Sequence, residues 1–372
     1  MSNIIQKLYQ HGQSIWCDNI SRGMIASGEL ARLIDLGVVG VTSNPTILMK
    51  AISSGTDYDK LLGDLLAQPR EQMETYEGLV LPDIADAADM LRPIYDRTSE
   101  VDGYVSLEVN PKLASDTEGT IAEARRLFGA LGRPNVLIKV PATDEGIPAV
   151  EVLIGEGINV NVTLIFSLAM YEKVMGAYLA GLRRLEASGG DLSKVASVAS
   201  FFVSRVDTLA DKLLEELRPN GAQIDHLLGE AAVANAKLAY ARFEEVFSAT
   251  GEFAGFAAKG ARVQRPLWAS TSTKNPDYPD TLYVDELVGP NTVNTIPPQT
   301  IEAVLDHGQT EVTIRDNLEG ARALFAELAE IGIKIDDVTD KLRVDGIAAF
   351  VKSFDELLEN LGDKQRQLEA AV

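Results

Sequence analysis

Residues 104–165 run YVSLEVNPKLASDTEGTIAEARRLFGALGRPNVLIKVPATDEGIPAVEVLIGEGINVNVTLI. Three apolar segments in this stretch, YVSLEV, NVLIKVP and INVNVTLI, are rich in Val, Leu and Ile and predict buried strands. Segments 117–131 and 147–155 lie between them and have helical spacing of apolar residues. Such strand–helix alternation predicts parallel strands that are joined by crossover helices.

The same alternation extends along most of the chain. We predict strands near residues 14–19, 38–44, 104–109, 135–141, 158–165, 194–202, 265–271 and 292–296. Helical patterns also cover residues 28–37 and 167–187. Eight strand–helix units favour an α/β protein with one (β/α)8 TIM barrel that spans residues 1–372 as a single domain. A doubly wound sheet is the alternative, but no glycine-rich nucleotide-binding motif follows the first strand.

Three longer segments interrupt the alternation. Helical insertions are expected at about residues 46–100 and 206–260, and a helical C-terminal extension at about 312–372. In the extension, apolar residues recur at helical spacing from Ile347 to Leu361. We expect this helix to pack on the barrel wall, and a lid beside the site is the alternative.

The composition limits the class of protein. Of the 372 residues 46% are hydrophobic, and the formal net charge is −21. Such a charge repels nucleic acid and anionic membranes, so neither is an expected partner, and an anionic substrate would need a local basic pocket. One cysteine and three histidines exclude an internal disulfide and disfavour a zinc site. With no apolar signal-peptide or membrane-spanning segment, a cytoplasmic protein is expected.

Three charged residues interrupt apolar strand segments. Lys139 lies within VLIKVP, Glu108 lies within VSLEV, and Asp18 ends IWCD. Because such residues are almost never buried without a partner, their pattern indicates a constructed site. A desolvated amine beside carboxylates suits Schiff-base chemistry on a sugar carbonyl. The plainer alternatives are a structural ion pair for Lys139 and a helix or loop cap for Asp18.

Side-chain alternation assigns further residues to the barrel interior. Successive residues of a strand point to opposite faces, and helices cover the outer face, so the polar face should point to the C-terminal mouth. The residues so assigned are Asn44, Asn161, Thr163, Ser200, Phe202, Trp268 and Ser270. Taken alone, Thr163 is also typical of an ordinary strand residue. Cys17 falls on the opposite face from Asp18 and is expected in the core.

Two cations follow late strands, where this fold commonly binds phosphate. Arg205 comes after the sixth strand, and Lys274 comes after the seventh. Arginine offers a fork that matches phosphate geometry. We therefore predict a phosphate site at the mouth, and the alternative for each cation is a solvated surface position.

Four motifs resemble those of transaldolases. They are TSNPT (42–46), VSLEV (105–109), LIKVPAT (137–143) and GINVNVTL (157–164), and the similarity runs from about residue 10 to 305. The chain length and its inserts resemble the longer bacterial type. The resemblance implies a class I aldolase of the pentose phosphate pathway that needs no cofactor and no metal. Such an enzyme moves a dihydroxyacetone unit from sedoheptulose 7-phosphate or fructose 6-phosphate to glyceraldehyde 3-phosphate or erythrose 4-phosphate.

The resemblance also implies a role for each candidate residue. The Schiff-base lysine falls on Lys139, the two acids on Asp18 and Glu108, and the water-orienting threonine on Thr163. The residues implied in binding the sugar hydroxyls and the phosphate are Asn44, Asn161, Ser200, Phe202, Arg205, Ser270 and Lys274.

This sequence departs from the family pattern at one implied phosphate residue. Lys274 stands where the family has an arginine, within a longer Ser/Thr run. Phe202 stands where the related fructose-6-phosphate aldolases have a tyrosine, which favours transfer over simple cleavage. A plain Schiff-base aldolase of the fructose-6-phosphate or deoxyribose-phosphate kind is the alternative enzyme, and a non-catalytic sugar-phosphate binder is a third reading. We expect a monomer or a homodimer.

Overall fold

Eight strands, each parallel to its neighbours, close into a barrel in chain order, and β1 pairs with both β2 and β8. The structure is a computed structural model that describes residues 2–67, 70–220 and 223–370. The strands are β1 Gln13–Cys17, β2 Gly40–Thr42, β3 Tyr104–Glu108, β4 Val136–Pro141, β5 Val160–Ile165, β6 Ser197–Phe202, β7 Arg265–Ala269 and β8 Thr292–Ile296. The predicted (β/α)8 barrel is confirmed, and each predicted strand overlaps an observed one.

Helices surround the barrel and extend beyond it. They are α1 Ile4–Gln10, α2 Arg22–Ala26, α3 Glu29–Leu36, α4 Pro45–Ser53, α5 Asp59–Leu66, α6 Gln72–Arg97, α7 Thr117–Leu131, α8 Gly146–Gly155, α9 Leu168–Ala187, α10 Ser204–Leu217, α11 Ala231–Phe247, α12 Ala254–Ala257, α13 Leu282–Asp285, α14 Pro298–His307, α15 Leu318–Glu330 and α16 Ile335–Ala370. Short 3-10 turns occupy Pro111–Leu113, Leu192–Lys194 and Arg218–Asn220. Strand β2 is shorter than predicted because Asn44 caps α4 and Pro45 begins it.

A hydrogen-bonded network fills the N-terminal end of the barrel. The Asp102 carboxylate accepts hydrogen bonds from Ser14 Oγ at 2.8 Å, Trp16 Nε1 at 3.2 Å and Arg265 Nη2 at 3.0 Å. The Trp16 ring needs the space beside Gly40, where an added Cβ would lie 2.5 Å from the ring. The hydrogen bonds of this network pair the buried polar groups of Ser14, Trp16, Asp102 and Arg265 with one another.

The seventh strand corrects one orientation that alternation predicts. Trp268 contacts Phe201 with ring centroids 6.0 Å apart, and Phe201 in turn contacts Tyr171 of α9, so the Trp268 ring lies in the helical layer. Ser270 nevertheless lines the mouth. The Ser270 backbone has a φ of 55°, so regular strand geometry ends after Ala269. The rule that residues two apart share a face therefore does not apply to Trp268 and Ser270.

The C-terminal helix α16 runs along the rim of the barrel mouth. It packs on α4, α6 and α10 and contacts β5, and the Phe350 ring lines the central cavity. Thr46 of α4 donates a hydrogen bond to Ser353 at 2.8 Å. A Cβ added at Gly346 would lie 3.2 Å from Leu164 and 3.6 Å from Arg205. The helix therefore packs against the barrel and its helices, as expected, and it also reaches the mouth, where Phe350 lines the cavity.

Candidate active site

A cavity of about 640 Å³ opens at the carboxyl ends of the strands. The candidate residues that line it are Asp18, Asn44, Lys139, Thr163, Ser200, Phe202, Arg205, Ser270 and Lys274. Of the candidates, Glu108 and Asn161 lie behind this lining. The nine lining candidates come from six of the eight strand–loop units and meet in one place, because parallel strands bring their carboxyl ends to the same side of a barrel.

Lys139 lies inside the barrel wall beside Glu108. The two residues are register partners on β4 and β3, and the Lys139 Nζ lies 3.5 Å from Glu108 Oε2. The same nitrogen donates a hydrogen bond of 2.8 Å to the carbonyl oxygen of Ser43. Only 4% of Lys139 and 7% of Glu108 are exposed. The amine is thus largely removed from water but open to the cavity.

The Glu108 carboxyl is suited to proton transfer near neutral pH. Neither of its oxygens has a hydrogen-bond partner among the described residues. Burial raises the pKa of Glu108 to about 7, although the nearby Lys139 charge opposes that rise. An acid with this pKa exchanges protons readily at neutral pH, and the nearest group that can exchange with it is the Lys139 amine.

Asp18 lines the same cavity, directly after β1. Its Oδ1 accepts a hydrogen bond of 2.6 Å from Thr42 Oγ1, which lies 2.6 Å from Thr295 Oγ1. Burial raises the pKa of Asp18, while the Thr42 hydrogen bond and the Lys139 charge oppose the rise. Ser21 caps the following helix, so the cap alternative does not account for Asp18. Its carboxylate is instead held in the cavity as a possible proton acceptor.

The candidate amides and hydroxyls differ in how far they reach the cavity. Asn161 is fully buried, donates to Ser106 Oγ at 3.1 Å and accepts from Ser200 Oγ at 2.6 Å. It therefore orients Ser200, which lines the cavity. Asn44 lines the cavity while its Oδ1 caps α4 by accepting from the Ile47 amide at 2.9 Å. The Thr163 hydroxyl has no hydrogen-bond partner within the described chain.

Two unpaired cations make one side of the cavity positive. The Arg205 guanidinium lies over the Phe202 ring, 5.4 Å from its centroid, and Lys274 donates to Ser272 Oγ. Neither cation forms an ion pair with a described carboxylate. Burial, and then the charge of Arg205, lower the pKa of Lys274, and burial also lowers the pKa of Arg205. An anion bound between them would relieve this repulsion, as a phosphate site requires.

Two aspartates of α10 tie the Arg205 helix to the segment that carries Lys274. Asp207 accepts hydrogen bonds from Tyr283 Oη at 2.7 Å and from the Ala232 amide at 2.7 Å. Asp211, one turn later, accepts from Tyr278 Oη at 2.8 Å. These bonds fix the loop after β7 relative to α10, so they set the separation of the two cations.

Replacing Tyr283 with phenylalanine is expected to lower the free energy of unfolding by about 1–3 kcal/mol, because the buried Asp207 loses a donor. The matched control is Tyr171→Phe, since the Tyr171 hydroxyl is buried without a hydrogen-bond partner in the described structure. Urea unfolding measures both variants. An equal loss of stability in the two would contradict the role assigned to the Asp207 bond.

Sequence reasoning missed several residues that line the cavity. Thr42 could have been found, because alternation places it on the same face as Asn44. Lys50 and Phe350 also line the cavity, but each lies on a helix whose orientation depends on tertiary packing. The Ser43 carbonyl that accepts from Lys139 belongs to the backbone and leaves no signal in the sequence.

The described residues contain neither a metal-ligand cluster nor a membrane-spanning helix. Within residues 2–67, 70–220 and 223–370, no group of three or more His, Cys, Asp or Glu side chains could hold a metal ion. No helix in those ranges is long and apolar enough to cross a membrane. Cys17 is a buried free cysteine in the core, as the alternation of β1 predicts.

Comparison with known proteins identifies similar sequences over nearly the whole chain. A family model described as transaldolase/fructose-6-phosphate aldolase matches residues 15–361. A transaldolase of Thermobifida fusca is 50% identical over 98% of this chain and 99% of its own length. A transaldolase of Acidothermus cellulolyticus is 52% identical over 96% of this chain and 95% of its own. A transaldolase of Trichodesmium erythraeum is 45% identical over 99% of both chains.

Proposed function

Because this chain belongs to the transaldolase/fructose-6-phosphate aldolase family and acts as a transaldolase, we propose that Lys139 forms the Schiff base through which its transfer reaction proceeds. The enzyme is a transferase that acts on sugar phosphates. The donors are sedoheptulose 7-phosphate and fructose 6-phosphate, and the acceptors are glyceraldehyde 3-phosphate and erythrose 4-phosphate. This assignment places the reaction in the pentose phosphate pathway.

Imine formation uses the buried pair of Lys139 and Glu108. The neutral amine attacks the C2 carbonyl carbon of the ketose, and the carbonyl oxygen becomes a hydroxyl. Glu108 takes a proton from the nitrogen and returns one to that hydroxyl, which leaves as water. Thr163 orients the water that relays these protons. The 3.5 Å separation of Nζ and Oε2, and the pKa of Glu108 of about 7, support this role.

Carbon–carbon cleavage uses Asp18 as the base. Its carboxylate takes the proton of the C4 hydroxyl, the C3–C4 bond breaks, and the electron pair moves into the iminium to give an enamine. The aldose phosphate leaves, and the enamine then attacks the aldehyde carbon of the acceptor in the reverse sequence. The iminium stores the electrons of the broken bond, so the scheme uses only groups of this chain and the substrate.

The cations of the cavity bind the substrate phosphate. Arg205 and Lys274 carry unpaired charge, and Ser270 lines the same cavity with its hydroxyl 3.0 Å from that of Ser204. Phosphate binding far from the reacting carbons orients them toward Lys139 and Asp18. Asn44 and Ser200 line the cavity where they can hold sugar hydroxyls, and Asn161 acts through Ser200.

The observation that carries the proposal is a lysine that is 4% exposed, lies 3.5 Å from a carboxylate and opens into a cavity shared with Asp18. Treatment with borohydride in the presence of fructose 6-phosphate should reduce the imine and leave a three-carbon adduct on Lys139. Peptide mapping by mass spectrometry locates the adduct. An adduct on any other lysine would overturn the assignment.

Replacing Glu108 with glutamine is expected to slow imine formation by about 10²–10⁴-fold, because the proton relay is lost. In the unmodified enzyme the trapping rate should fall as the pH drops below about 7, since a protonated Glu108 cannot accept the amine proton. The glutamine variant should lack that inflection. Glu172→Gln, at an exposed site on α9, is the control, and an inflection that survives in Glu108→Gln would assign it to another group.

A plain fructose-6-phosphate aldolase is the second candidate, because the matching family includes both activities. The two differ in the fate of the enamine. An aldolase releases free dihydroxyacetone without an acceptor, whereas a transaldolase retains the three-carbon unit until erythrose 4-phosphate arrives. Phe202, in place of the tyrosine of those aldolases, supports transfer. Product analysis with and without the acceptor separates them.

The cellular setting follows the same proposal. The single cysteine, buried as a free thiol, supports a cytoplasmic location. The cavity is built from one chain, so a monomer or a homodimer is compatible with catalysis. Sedimentation of the purified protein measures which of the two is present.

A further inference from the structure

One wall of the cavity is a face of helix α4. Lining residues recur along this helix at Ile47, Lys50 and Ala51, and Ser54 follows directly after its end. This spacing places them on one side of the helix. Asn44 caps the helix at the inner end of the wall. Lys50 is six residues later, about 9 Å along the helix axis, so it lies towards the outer end.

The Lys50 ammonium has no described carboxylate partner. Burial and then the charge of Arg205 lower the pKa of Lys274, the Asp18 charge opposes them, and the Lys50 charge lowers the pKa further. The chain carries 55 acidic and 34 basic residues, so partners for a lysine are abundant. Three cations that form no ion pair line one cavity, and an anion bound among them would offset their mutual repulsion.

We propose that Lys50 is a third phosphate-contacting residue and determines the preference for phosphorylated over unphosphorylated substrates. The inference rests on the transaldolase function proposed above and adds a residue to its binding site. Arg205 is constrained by its contact with Phe202, and Lys274 by its hydrogen bond to Ser272. Lys50 instead projects from an exposed position on α4, and its flexible stem lets the ammonium follow the phosphate as substrates of different length bind.

The test compares Lys50→Gln with Lys60→Gln. Lys60 is an exposed lysine of the next helix, α5, and is not among the cavity lining, so both variants lose the same formal charge. For each enzyme we would measure kcat/KM with glyceraldehyde 3-phosphate and with unphosphorylated glyceraldehyde as acceptors. The ratio of the two values should fall about tenfold in Lys50→Gln and stay unchanged in Lys60→Gln, and Lys50→Arg should restore most of it.

Two results would overturn the proposal. The first is an unchanged ratio in Lys50→Gln. The second is an equal fall in both glutamine variants, because that would reflect the overall charge of the protein and not a contact at the cavity. Titration calorimetry with inorganic phosphate tests the same contact without turnover, and affinity should fall in Lys50→Gln alone.

Trapping separates this inference from the function on which it rests. Borohydride with unphosphorylated dihydroxyacetone should label Lys139 equally well in the unmodified enzyme and in Lys50→Gln. If the unmodified enzyme is not labelled, the Schiff-base proposal fails. If both are labelled and the phosphate ratio does not change, only the role of Lys50 fails.

Discussion

Replacement of Lys139 with alanine is expected to lower the transfer rate by about 10⁴-fold or more, because the variant cannot form the covalent imine. Borohydride trapping should also disappear. The fold should survive, since the remaining partner, Glu108, already has its pKa raised to about 7 by burial. Without the Lys139 charge it takes up a proton and becomes a neutral buried acid. Circular dichroism and the urea midpoint check the fold.

The matched control for this variant is Lys237→Ala. Lys237 is also a buried lysine, 6% exposed, and pairs with Glu286 at 2.8 Å, but it lies on α11 and is not among the residues that line the cavity. This control should lose stability and retain its rate per folded molecule. A Lys139→Ala enzyme that transfers at a normal rate would rule out the Schiff-base mechanism.

Replacement of Asp18 with asparagine is expected to lower the transfer rate by about 10²–10⁴-fold while imine formation continues. Asparagine keeps the size of the side chain and can still interact with Thr42, but it cannot accept the C4 hydroxyl proton. Trapping with fructose 6-phosphate should therefore yield a six-carbon adduct on Lys139 in place of the three-carbon one. Mass spectrometry of the labelled peptide distinguishes the two.

Asp144→Asn serves as the control for this variant, because Asp144 is an exposed aspartate in the loop after β4. It should show normal transfer and a three-carbon adduct. If Asp18→Asn gave no adduct of either length, Asp18 would be required for imine formation, and the cleavage base would have to be another group.

The pH dependence of transfer should carry the signature of both acids. Burial raises the pKa of Asp18 as well as that of Glu108, and both must be ionised before they can accept a proton. Activity should therefore decline on acidification at a higher pH than ordinary carboxyl groups would give. In Asp18→Asn, the trapping step should retain only the part of this dependence that Glu108 contributes.

Local pattern was enough to predict the barrel and most of its mouth. Strand alternation has a period of two wherever the backbone is regular, so the sequence alone assigns Lys139 and Glu108 to the interior. The structure adds that they are register partners on adjacent strands. The rule failed at Ser270 and Trp268, where a φ of 55° breaks the regular backbone, and nothing in the neighbouring residues announces that break.

Contacts between residues far apart in the sequence determine the features that no sequence pattern predicted. The apolar stripe of α16 indicates that one side of the helix is buried, but it does not indicate which surface covers that side. Tertiary packing places Phe350 in the cavity wall. Asn161 carries an amide that suits substrate binding, yet its bonds to Ser106 and Ser200 keep it behind the lining. Short-range periodicity thus determines which way a strand residue points. The groups it meets depend on how segments hundreds of residues apart pack together, because those contacts form only in the closed barrel.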